Sequence, residues 1–254
     1  MNYYLRLLFT ILIFLLLIND TTLIVVAEQT PDPALISNYE DDLTGDGQKE
    51  IILLKGDLLS LKRKYYQNIW VEITSKHSER WRIPFKNGYE PKIYLFDLNH
   101  DHVNDLFYRV TTNEADKINT HYLYTLKNGL INEILLPKQP YIKGQFMNDF
   151  HIEIHLSIKE NNKPVFVNVE DQLHEYVKLG IYNKQGKLLK PRTVIINPIS
   201  SYEPTHISKS KGYGLKSYQQ ISGAYPDDKL GIIETLWYYE NGDWIVLKTD
   251  WIPF

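Results

Sequence analysis

The segment NIWVEITSK at residues 68–76 alternates apolar and polar side chains, which places Ile69, Val71 and Ile73 on one face of an extended strand. RWRIPF follows after a short polar stretch and reads as its hairpin partner. IYLFDL, DLFYRV, HYLYTL and HIEIHLSI are further short runs of strand type. The clearest signal is C-terminal, where IIETLWYYENGDWIVLKTDWI is two alternating strands joined at Asn241-Gly242, and LKSYQQISGAY adds a third. Helical periodicity is thin: residues 170–183 could hold a turn or two of helix, but their Tyr, Val and Ile suit a strand equally. Short strands separated by turns at intervals of about ten residues predict an all-β fold, propeller-like or a related antiparallel architecture, as one domain over residues 36–254.

Two polar stretches interrupt this pattern with the same spacing. DLTGDGQKE offers Asp42, Thr44, Asp46 and Glu50 at positions 1, 3, 5 and 9, and DLNHDHVND offers Asp97, Asn99, Asp101 and Asp105 at the same places fifty-five residues on. Alternate oxygen-bearing side chains on a tightly curved backbone converge on one hard cation, and the seventh residue, Gln48 or Val103, adds its backbone carbonyl. That donor set suits Ca²⁺, which takes about 6–8 oxygens in a tolerant geometry, better than Mg²⁺ or Zn²⁺. Leu53 and Tyr108 stand where an EF-hand needs its bidentate Glu, and apolar strands rather than helices follow each loop. His102 replaces the first loop's Gly47, which predicts a strained or differently shaped second turn. One or two structural calcium ions are therefore expected.

The loops resemble the calcium-binding repeats of integrin-α-type FG-GAP and bacterial VCBS β-propeller proteins. GYEPKIYLFDLNHDHVNDLFYRV and SYQQISGAYPDDKLGIIETLWYY are similar to exported VCBS-repeat-containing proteins of bacilli. The resemblance implies an extracellular β fold with calcium held at the loop residues named above, and it implies no catalytic residue.

The N-terminus changes the compartment. Arg6 precedes an apolar run at residues 7–18, and Val25 and Ala27 supply a small-x-small exit, so residues 1–27 read as a signal peptide and residues 28–35, with Pro31 and Pro33, as a linker. The alternative is an uncleaved N-terminal membrane anchor, which would put Asn19 and Asp20 inside the bilayer. With no Cys, a lipidated cysteine and disulfides are excluded. A net charge of −3 with interspersed signs gives no footprint for nucleic acid. The expected location is secreted or at the cell surface, with an extracellular protein or glycan as ligand and no stable membrane span once the signal is cleaved.

Catalytic signatures are weak. No G-x-S-x-G, H-E-x-x-H or P-loop occurs. His151, Glu153 and His155 share one strand face, a candidate zinc triad or a solvated face. Asp227 and Asp228 sit in a turn, and Tyr218, Trp237, Tyr239, Trp244 and Trp251 form a glycan platform or cross-strand packing. The composite expectation is a calcium-stabilised binding or structural module, leaning away from an enzyme. The alternatives are a secreted hydrolase of cell-wall or glycan polymers and an envelope or spore-layer component.

Overall fold

Strand patterning carries through to the three-dimensional structure. The computed structural model describes residues 33–60, 62–115, 118–156 and 163–254, and the expected signal peptide and most of the linker lie outside them. Among the described residues no helix is long and apolar enough to cross a membrane. Pro33–Phe254 form one compact unit.

The first sheet has eight strands: β1 (Ala34–Asp41), β2 (Glu50–Ser60), β3 (Tyr65–Thr74), β4 (Arg80–Pro84), β5 (Gly88–Phe96), β6 (Asp105–Asn113), β7 (Ile118–Thr125) and β8 (Asn132–Glu133). Their order is β1-β2-β3-β5-β6-β7-β8, with β4 paired to β3. Ile69, Val71 and Ile73 are buried as their alternation requires. β3 and β4 form the expected hairpin, with Thr74 opposite Arg80. Gly88 admits the crossing into β5, because a Cβ there would lie 2.5 Å from the Thr111 carbonyl oxygen. The two halves of this sheet share a core of Leu43, Ile52, Leu54, Val71, Ile93, Tyr108 and Val110 among others, with Phe85 stacked on Tyr108 at 3.8 Å.

β9 (Lys143–Met147), β10 (His151–His155) and β11 (Val165–Asn168) make a small sheet in the order β11-β10-β9. Helix α1 (Leu173–Lys178) follows a 3₁₀ turn, so the ambiguous segment at 170–183 resolves as a short helix. The last sheet is a meander of β12 (Ile195–Ser208), β13 (Gly212–Ser222), β14 (Lys229–Glu240) and β15 (Asp243–Pro253). Asn241 and Gly242 both have positive φ, +53° and +85°, as a two-residue type I′ hairpin demands.

β6 decides how the sheets are joined. Leu106, Tyr108 and Val110 face the first core, while Phe107 joins Leu98, Leu123, Leu215 and Trp237 in a second cluster against the last sheet. Covered on both faces, β6 reads as a continuous apolar run rather than an alternating one. The described strands show an all-β, antiparallel fold with no closed barrel and no propeller. The fifty-five-residue spacing reflects two similar hairpin loops within one sheet rather than two blades.

Candidate metal centre

Each acidic nonapeptide closes a hairpin of the first sheet: residues 42–49 join β1 to β2, and residues 97–104 join β5 to β6. The carboxylates first serve the loops' own backbones. In the first loop, Asp42 accepts the Gly45 and Gly47 amides at 2.6 and 2.8 Å, and Asp46 accepts the Gln48 amide at 2.7 Å. Glu50 accepts the Leu43 and Thr44 amides at 2.8 and 3.3 Å and the Thr44 hydroxyl at 3.2 Å. The second loop repeats this. Asp97 accepts the Asp101 and His102 amides, Asp101 the Val103 amide, and Asp105 the Leu98 and Asn99 amides, all between 2.9 and 3.1 Å.

The backbones match as well. Gly45 and Gly47 have φ of +78° and +83°, and His100 and His102, at the same positions, have +62° and +71°. Of the two expected outcomes at His102, strain is present and a change of shape is not. The loop keeps its shape and holds two histidines in a conformation that costs a non-glycine residue about 1–2 kcal/mol. His100 recovers contact by stacking on Tyr238 of β14, centroids 4.4 Å apart.

Burial separates the ligand candidates. Leu43 and Leu98 anchor each loop in the core, and Glu50 and Asp105 are buried at 1% and 0% exposure, whereas Asp46 is exposed. Burial, together with the neighbouring Asp101 and Asp97 charges, pushes the Asp105 carboxyl up to about 7, against the pull of its two backbone amides.

The loops also touch each other. Asn104 donates to Asp41 Oδ2 at 2.8 Å, and a Cβ on Gly45 would lie 2.8 Å from Val103 Cγ2. The short turn at Lys127–Gly129 straps both, because the Asn128 amide donates to the Thr44 carbonyl at 2.9 Å and Lys127 Nζ to the Asp101 carbonyl at 2.6 Å. Lys127 and Asn128 were not foreseeable as partners. KNG is a visible turn signal, but its contact with residues 44 and 101 is long-range.

The two loops differ in what fills them. Oxygen atoms of Asp42, Asp46 and Glu50 all lie within 4.8 Å of one another, the spacing a cation needs. In the second loop the Asn99 amide nitrogen sits between Asp101 Oδ2 and Asp105 Oδ1, at 3.2 and 3.1 Å, and Lys127 Nζ is 3.7 Å from Asp101 Oδ2. Among the described residues only the first loop gathers three carboxylates this closely, while the Asn99 amide and the Lys127 ammonium stand among those of the second, so the first loop fits a hard cation better. Thr44 is positioned with its hydroxyl on Glu50, and the Val103 side chain lies close against Gly45.

A family model described as the YybI C-terminal domain matches residues 140–252. That segment is similar to YybI. A Bacillus subtilis (strain 168) relative, "Uncharacterized protein YybI", is 26% identical over 211 residues, 80% of this chain and 79% of the relative. No solved structure matches. These findings replace the VCBS and FG-GAP resemblance: the similarity is to YybI, with no sign of either repeat. The nonapeptide misled because alternating acids that cap their own amides solve a tight hairpin in any β context. Both loops lie outside the segment matched by the YybI C-terminal domain.

The remaining candidates do not assemble. His155 Nε2 lies 3.3 Å from Glu153 Oε1, but His151 Nδ1 lies 2.6 Å from the Asp149 carbonyl, so the three side chains form no triad. Asp228 is 4% exposed and accepts the Tyr176 hydroxyl and the Ala224 amide at 2.7 and 2.6 Å, tying α1 to the β13–β14 turn. The aromatic row is divided between faces. Trp237 is buried with its indole N–H on Ser217 Oγ, and Trp244 packs edge-on to Tyr239 and donates to the Leu135 carbonyl.

Proposed function

We propose that residues 42–50 bind one calcium ion and that the ion pins the β1–β2 hairpin and the loop packed beside it. The carrying observation is the convergence of Asp42, Asp46 and Glu50 oxygens within 4.8 Å on a loop curved by Gly45 and Gly47. Asp42, Asp46 and Glu50 would supply carboxylate oxygens, Thr44 its hydroxyl, and Gln48 its backbone carbonyl. Calcium accepts this mixture because its coordination is flexible, and extracellular modules work at roughly 10⁻⁴–10⁻³ M affinity.

The signal-like N-terminus supports a location outside the cell or at its surface, where calcium is available at that level. The ion's role is to hold the fold, and the function is that of a binding or structural module. Calorimetric titration of calcium into the protein tests this. One site near 10⁻⁴ M, absent in Asp46→Ala, is expected; no heat of binding at millimolar calcium refutes the assignment.

A further inference from the structure

β15 closes the last sheet, and it carries a combination of residues unusual for a sheet edge. It hydrogen-bonds to β14 on one side, and among the described residues no strand pairs with its other side. Exposed edges are normally shielded by charge, proline or brevity, because a free row of backbone groups templates pairing with another chain. Here the edge carries Asp243, Lys248, Asp250, Pro253 and a bulge at Leu247, yet it is eleven residues long and exposes Ile245, Val246, Leu247 and Ile252, followed by Phe254, all at 36% or more.

The charges within it are arranged rather than scattered. Lys248 and Asp250 are two residues apart on one face and ion-paired at 2.7 Å. Asp250 stands directly opposite Glu234 on β14, a like charge, while Glu234 is itself paired with Lys216 at 2.9 Å. Asp250 thus has an acid on its closed side and an open position on its free side.

We propose that β15 pairs antiparallel with β15 of a second copy of this chain, about a two-fold axis through Thr249. A two-fold axis normal to the sheet keeps each strand's faces matched, so only residues of like parity can stand opposite one another. Centring on Lys248 or Asp250 sets that residue against its own copy, a like-charge clash. Centring on Thr249 sets Lys248 against Asp250 of the second copy twice over, and puts a cation on the open side of each Asp250. The same register brings Leu247 towards Trp251, as far as the β-bulge at Leu247 where the pairing of β15 with β14 shifts. Apolar residues meet apolar ones, and the two four-stranded sheets become one of eight.

Sedimentation of the purified chain tests this register. The wild type sediments as a dimer, and Asp250→Lys or Lys248→Asp alone weakens dimerisation roughly tenfold or more, because each turns two attractive contacts into two repulsive ones. The double variant Lys248→Asp/Asp250→Lys restores the wild-type constant. Circular dichroism of each variant separates a lost dimer from a lost fold. Independently of charge, Thr249→Cys should give a covalent dimer on mild oxidation, a clean readout in a chain without cysteine. A monomeric wild type, single charge variants that dimerise unchanged, or a Thr249→Cys dimer that does not cross-link would each overturn the proposal.

Discussion

Removing one carboxylate from the first loop should have opposite consequences with and without calcium. In chelator, Asp46→Ala loses one exposed hydrogen bond to the Gln48 amide, worth about 1 kcal/mol or less. It also relieves repulsion among three carboxylates whose oxygens lie within 4.8 Å of one another, about 0.9 kcal/mol for each pair at the dielectric of water. Asp46 takes part in two such pairs, so a relief of about 1.7 kcal/mol outweighs the lost bond and the variant should melt slightly above the wild type. At 2 mM calcium and an affinity of roughly 10⁻⁴ M, binding to the folded state stabilises the wild type by about 1.8 kcal/mol, or about 4–7 °C in a domain of this size. Asp46→Ala forfeits that gain. Thermal melts followed by circular dichroism, in chelator, calcium and magnesium, read the double difference. Equal shifts of wild type and variant on adding calcium would refute the reasoning, as would no shift in either.

Three further outcomes follow from the packing. Burial pushes His121 down to about 3, so the unfolded chain takes up a proton that the folded chain refuses; stability must fall as pH drops from 6.5 towards 3, by about 2–3 kcal/mol at pH 4.5, and His121→Phe should flatten that slope in urea titrations. Gly45→Ala should cost about 1–3 kcal/mol more than Gly47→Ala, because both share a left-handed backbone but only the Gly45 Cβ strikes Val103, and paired denaturation curves measure the difference. Tyr176→Phe strips the hydroxyl from buried Asp228 and should cost about 1–3 kcal/mol in the same assay.

Strands whose two faces differ were legible in the sequence. Residues 68–76 and the Asn241-Gly242 hairpin declared themselves because alternation and turn chemistry are local. β12 did not, since Pro198 and Pro204 interrupt it; it lies at the edge of its sheet, where a missing N–H is tolerated. The two acidic stretches were legible as turns between strands that share one spacing. Their inequality was hidden, because Asn99 and Lys127 fill the second loop through contacts that spacing does not encode. The all-β, antiparallel part of the expectation holds, while a propeller is not shown among the described strands: a repeated hairpin loop fixes a local turn and leaves the order of sheets open.

β6 bears on any attempt to work with the YybI-like segment by itself. A fragment cut at residue 140 would leave behind Leu98, Phe107 and Leu123, the side chains that cover Leu215 and Trp237. Its last sheet would then present a bare apolar face to solvent. Such a truncation should express as an insoluble or aggregating piece, and solubility should return when residues 33–139 are supplied with it.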